Sequence, residues 1–151
     1  MPLKQIAHVQ GKYIPDPVYL DSNVLVSYFV PERRKISVIN IIADLLSQRA
    51  KITLSWVVYH ELIWGLLEHT YVNERKKREP EWSISRMGIA DFDQHKEWLL
   101  PVAMGRLKKI PETLRAWPNV ALFPYEQFGW EMSLSKLLET LNAPSACSVR
   151  C

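Results

Sequence analysis

An α/β fold with a short parallel sheet is predicted by three apolar runs and by what lies between them. Val18–Leu20, Lys51–Leu54 and Val120–Phe123 each have strand length, and the intervals carry apolar residues at helical spacing. Strands separated by helices pair in parallel, because the helix carries the chain back across the sheet face. A chain of 151 residues, 48% hydrophobic and 23% charged, has the make-up of one globular domain with a real core.

The first 17 residues read as an N-terminal arm, closed by the turn signal Pro15-Asp16-Pro17. After the first strand, a helix is expected from Ser22 or Asn23 to Phe29, since both residue types cap helices by accepting backbone N–H groups. The β-branched content of that stretch leaves a longer strand open. Pro31-Glu32-Arg33-Arg34-Lys35 reads as a charged loop. Val38, Ile41, Ile42, Leu45 and Leu46 then fall at i, i+3, i+4, i+7 and i+8, one face of an amphipathic helix. Beyond the second strand, Ser55 is an N-cap for a helix from Trp56 to about Tyr71. Residues 73–118 are polar and contain tryptophans, and predict two helices broken near Pro80 and Pro101. After the third strand, Glu126 to Asn142 returns to helical spacing, with Leu134, Leu137, Leu138 and Leu141 on one side.

A net charge of +3 permits nucleic-acid binding without demanding it. The opening MPLKQIAHVQGK has no signal-peptide core, and no apolar run approaches the ~18 residues of a membrane span. A cytoplasmic protein without a membrane partner is therefore expected. Cys147 and Cys151 are too few for a structural zinc site and read as incidental.

Chemistry enters with Asp21, an acid set in the apolar run VYLDSNVLV. A carboxylate buried without a partner costs several kcal/mol or takes up a proton. Ligands of open parallel sheets bind beyond the carboxyl ends of strands, so an acid at that point faces a crevice. Glu61 lies one turn or so into the next long helix, with Gly65 on its face at i+4. Glycine inside a helix costs about 1 kcal/mol against alanine, which points to close packing or ligand access there. Two acids at one end of a parallel sheet suit Mg2+ or Mn2+, hard ions that take carboxylate and water oxygens. Ser22 and Asn23 fit the task of orienting the carboxylate. From spacing alone the commoner reading is plainer: Asp21 as a turn or cap residue and Glu61 as a salt-bridged helix residue.

Asp21-Ser22-Asn23 after an apolar strand, then Ser55 and His60-Glu61-Leu62-Ile63-Trp64-Gly65, resembles a PIN domain of the ribonuclease toxins in bacterial toxin–antitoxin pairs. The likeness covers Val18 to Tyr71 well and Val120 to Ser145 loosely. It implies a three-layer α/β/α domain over residues 18–145, with 73–118 as a helical insertion. It also implies Mg2+- or Mn2+-dependent cleavage of RNA, with Asp21 and Glu61 as catalytic, metal-holding acids and Ser22, Asn23 and Ser55 in support. An antitoxin protein and a second copy of the chain are the implied protein partners.

The pattern breaks after Ser145. The resembled family places its third acid in a Pro-x-Asp-Ala-like segment, but Ala146 stands here and Cys147-Ser148-Val149-Arg150-Cys151 follows. Residues 146–151 read as a non-matching tail, from truncation or a shifted frame, with the last strands missing. Asp91 and Asp93 do not stand in the family's position. Fewer acids mean weaker metal binding and weak or no nuclease activity. The resembled sheet order is 3-2-1-4-5, so loss of strands four and five leaves VYL at an edge, open to aggregation or pairing.

Other signals are weaker. His60-Glu61-x-x-Trp64 lacks the second histidine of a zinc-protease helix. Arg33, Arg34, Arg75, Lys76, Lys77 and Arg78 are candidates for RNA phosphates, although such runs are more often solvated faces. Trp82, Trp98, Trp117 and Trp130 have rings fit to stack bases, but core and interface positions are the commoner use of tryptophan. Against the enzyme reading stand a catalytically inactive module that binds RNA or an antitoxin, and a plain α/β scaffold with both acids structural.

Overall fold

The computed structural model describes residues 17–83, 86–123 and 139. Strand β1, Val18–Tyr19, leads through Leu20 and Asp21 into helix α1, Ser22–Phe29. A 3-10 turn at Pro31–Arg33 precedes helix α2, Ile36–Ser47. Strand β2, Ile52–Ser55, passes directly into the long helix α3, Trp56–Arg78. Helix α4, Ile89–Ala116, and strand β3, Val120–Phe123, complete the described elements.

The expected α/β class with a parallel sheet is what the chain adopts. The strands lie in the order β1-β2-β3, with Ile52 opposite Val18 on one side and Val120 on the other. The centre of the sheet is β2, whose Ile52 and Leu54 share one face and are fully buried, while Thr53 and Ser55 on the other face are half-buried. Among the described residues β1 is an edge strand, and Tyr19 on it is 71% exposed. One apolar core draws on every layer: Leu25 of α1, Ile42 of α2, Leu62 and Leu66 of α3, Leu107 of α4 and Leu122 of β3. Burying each such side chain contributes about 1.5–3 kcal/mol.

Three expectations about helices need correction. The first is the cap of α1: Asp21 occupies the N-cap position, not Ser22 or Asn23. The second is the end of α3, which continues past Tyr71 to Arg78, so residues 73–78 belong to this helix. The third is the break at Pro101, which does not occur. A helical proline removes one hydrogen bond and costs about 3 kcal/mol. Pro101 is exposed, so water can take the freed carbonyl, while Leu99, Leu100, Ala103, Leu107, Ile110 and Leu114 bury the other side of α4. That apolar face, packed in part on α3, outweighs the local penalty. The chain does leave the helix before Pro80, as expected.

The turn from α2 to β2 closes on backbone bonds. Arg49 N–H reaches Leu46 O and Ala50 N–H reaches Leu45 O, both at 3.1 Å, with Arg49 at φ 51°. This satisfies the last carbonyls of α2 and turns the chain toward β2. The arm before Pro17, the expected helix from Glu126 to Asn142 apart from the helical Glu139, Trp130, and the tail with Ala146, Cys147 and Cys151 lie outside the described residues.

Candidate acidic cleft

Parallel pairing puts the carboxyl ends of β1 and β2 at the same edge of the sheet, and α1 and α3 start from those ends. Aspartate is among the best helix caps, yet the Asp21 carboxylate makes no capping bond to α1. Only its backbone carbonyl serves the helix, accepting from Val24 N–H at 3.1 Å and Leu25 N–H at 3.2 Å. The exposed carboxylate instead accepts from the Asn23 side-chain amide at 3.3 Å. An acid that could cap and does not keeps oxygens available to something else.

Ser55 has a different task. Its hydroxyl accepts from Val58 N–H at 3.1 Å and so caps α3, fixing where that helix leaves β2. Farther along, Gly65 meets Val26 of α1: a Cβ built at Gly65 would stand 3.1 Å from a Val26 methyl carbon. The glycine therefore lets α1 approach α3 closely, and the packing half of the expectation for Gly65 holds.

Between the two helices lies an open cleft of about 470 Å3. Ser22, Asn23 and Val26 form one wall, and His60, Glu61, Trp64, Gly65, Glu68 and His69 form the other, with Arg33 at the rim. Glu61 is exposed and, among the described residues, has neither an ion-pair nor a hydrogen-bond partner. Glu68 accepts from Met87 N–H at 3.2 Å, which ties the segment before α4 to this wall. His60 packs against Trp56 with centroids 4.1 Å apart and ring planes tilted by 60°, and its Nε2 is buried without a hydrogen-bond partner among the described residues. Burial lowers the pKa of this imidazole below its ordinary value, so the neutral ring is favoured.

Of the expected site residues, Ser22, Asn23, Arg33 and Glu61 share this cleft, and Asp21 is joined to it through Asn23. The basic candidates scatter. Arg34 lines a pocket with Arg106 and Lys109, and Lys76 and Lys77 line another with Thr70 and Asn73. Arg75 is half-buried and engaged by its neighbours: it donates to Glu79 at 3.1 and 3.2 Å and to Tyr71 Oη at 2.8 Å. Its Nη1 also stands 2.8 Å from His95 Nε2. The Glu79 hydrogen bond pushes the Arg75 pKa further up. Lys77 pairs with Glu74 at 2.8 Å, and the Arg78 guanidinium sits 4.4 Å from the Trp98 ring centroid. Trp82, Trp98 and Trp117 all pack on aromatic neighbours within the protein.

Sequence reasoning passed over Glu68, although its spacing of i+7 from Glu61 marks the same helix face. It placed no role on His69, whose membership of the cleft follows from Gly65 bringing α1 close. Among the described residues, no three His, Cys, Asp or Glu side chains gather as a group able to hold a metal ion. Nor, among them, is any helix long and apolar enough to cross a membrane. No family model, curated protein or solved structure matches this chain.

Proposed function

We propose that this chain is a PIN-like α/β/α domain related to the Mg2+-dependent endoribonucleases of toxin–antitoxin pairs, with an incomplete acidic site. The observation that carries the reading is the Asp21 carboxylate, which forgoes its helix and accepts from Asn23, a residue that lines the same cleft as Glu61, itself without a partner among the described residues. The sheet order, with β2 between β1 and β3, agrees with the first three strands of the resembled arrangement.

Two carboxylates and an amide are hard oxygen donors, a set that suits one hydrated Mg2+ or Mn2+ and falls short of two. Asp21 and Glu61 would hold the ion, which would activate a water and offset charge on a scissile RNA phosphate. Asn23 orients Asp21, and Ser55 acts at a distance by setting the start of α3. The absence of a three-ligand group among the described residues favours a second reading, an inactive module that binds RNA or an antitoxin peptide in the cytoplasm, as a monomer or a homodimer.

The test is incubation of RNA with the full chain in Mg2+ or in EDTA, beside Asp21→Asn and Glu61→Gln. Slow cleavage that needs Mg2+ and both acids supports the enzyme reading. RNA binding that persists in EDTA and in both variants, without cleavage, selects the binding module. Neither cleavage nor binding of RNA or an antitoxin leaves the scaffold alone.

A further inference from the structure

His95 of α4 stands between two groups that both donate. Nη1 of Arg75, on α3, lies 2.8 Å from its Nε2, and the Trp98 indole N–H points to its Nδ1 at 3.1 Å. A neutral imidazole offers one acceptor nitrogen, and an imidazolium offers none. Arginine keeps its charge throughout the range in which histidines titrate. We propose that Arg75 and His95 form a proton-sensitive latch between α3 and α4, closed while the imidazole is neutral with Nε2 bare, and released when Nε2 takes up a proton.

The donors decide which nitrogen is bare. A hydrogen bond from a charged donor is roughly twice as strong as one from a neutral donor, so Arg75 prevails over the indole and the ring proton sits on Nδ1. Arg75 has an N–H to give: Nη1 carries two, one for Tyr71 Oη at 2.8 Å and one for His95. A proton arriving from solvent at Nε2 sets N–H against N–H across that contact and adds a second positive charge there. The contact then has no acceptor and opens.

The groups around the ring fit a release that leaves neither partner stranded. On the α3 side, Arg75 keeps Tyr71 and the Glu79 carboxylate as acceptors when it loses His95. The Tyr71 ring itself lies 5.5 Å from the imidazole, centroid to centroid. On α4, Asp91 stands one turn before His95, its carboxylate accepts from Gly88 N–H at 2.9 Å, and its charge acts on the same Tyr71 hydroxyl. Residues at i and i+4 of a helix are neighbours, so Asp91 is the carboxylate toward which an imidazolium at His95 can turn. Trp98 stays joined to α3 by the Arg78 guanidinium at 4.4 Å and the Tyr71 ring at 6.1 Å. Release therefore loosens this end of the α3–α4 contact without parting the helices. The latch does not depend on what the acidic cleft binds.

The experiment is a double-mutant cycle on the full chain, by urea unfolding, from pH 8 downward, with protonation of His95 followed by its ring Cε1 proton resonance. Arg75→Gln and His95→Phe should couple at pH 8 by about tenfold in the unfolding constant, and the coupling should vanish or change sign as the ring protonates. His95→Gln leaves an amide oxygen that accepts from Arg75 at any pH, so its coupling to Arg75 should not follow pH. Coupling that is absent at pH 8, or equal before and after protonation, would overturn the latch, as would a ring that stays neutral until the chain unfolds. The parent protein supplies a check that needs no variant. Ring 15N shifts at pH 8 should show Nδ1 protonated and Nε2 bare, and the opposite tautomer would overturn the assignment.

Discussion

Near its N-terminal end, α3 presents Glu61 to an open cleft with no partner among the described residues, and Gly65 keeps the opposing helix close. At its other end, Arg75 is gripped by Glu79, Tyr71 and His95, with the Tyr71 and Trp82 rings beneath the guanidinium at 5.8 and 5.2 Å. Trp98 donates its indole N–H toward His95 Nδ1 at 3.1 Å. Both neighbours of His95 are donors, and a neutral imidazole has one acceptor nitrogen, so the ring satisfies one of them at a time. One helix thus carries two kinds of charged residue. The basic end fastens α3 to α4, whereas Glu61 near the other end is bonded to nothing among the described residues. Charge in a sequence says little until its partners are known.

The comparison breaks most visibly by truncating the fastened end. Tyr71 is fully buried and packs on Trp82, His95 and Trp98, so Tyr71→Ala should cost about 3–5 kcal/mol in urea unfolding. Glu61→Gln, at an exposed and unpartnered site, should stay within about 0.5 kcal/mol of the parent. A large loss at Glu61 would mean that its carboxylate is structural after all.

A smaller effect is expected where the two helices of the cleft touch. Gly65→Val adds branched carbons 3.1 Å or less from the Val26 methyl position, and such overpacking costs about 1–3 kcal/mol. Pairing it with Val26→Ala should recover part of that loss in the same unfolding measurement, because the two sites share one contact.

The smallest effect concerns His60. Burial lowers its pKa, so the unfolded chain binds a proton that the folded chain resists as pH falls past the ordinary histidine value of about 6.5. This group's contribution to stability therefore rises with pH through the window below 6.5 and is flat above it. His60→Gln should flatten that segment of the stability–pH curve, and an unchanged slope would assign the titration to another group.

Much of the fold was legible because it depends on local periodicity. The apolar spacing of Val38 to Leu46 foretold α2, Ser55 foretold the start of α3, and the three strand runs foretold a parallel sheet. The path of α4 through Pro101 was not legible, since its compensation comes from an apolar face packed in part on α3. Asp21, Asn23 and Glu61 stood out as an interruption of apolar sequence; Asn23 and Glu61 line one cleft, and Asp21 lies beside it, bonded to Asn23. Arg75 looked like a ligand contact because His95, from another helix, has no signature beside it in the chain. Arg34 stood among the basic candidates, but its neighbourhood with Arg106 and Lys109 was not legible for the same reason: residues from α4 share its pocket only in the fold.

The central claim is that Asp21 and Glu61 form an acidic site for one hard cation. Titration with Mn2+, followed by electron paramagnetic resonance of the free ion, tests it without relying on catalysis. The account predicts one weak, saturable Mn2+ per chain, displaced by Mg2+ and lost in both Asp21→Asn and Glu61→Gln while the fold is retained. No saturable binding, or binding indifferent to both substitutions, would contradict it.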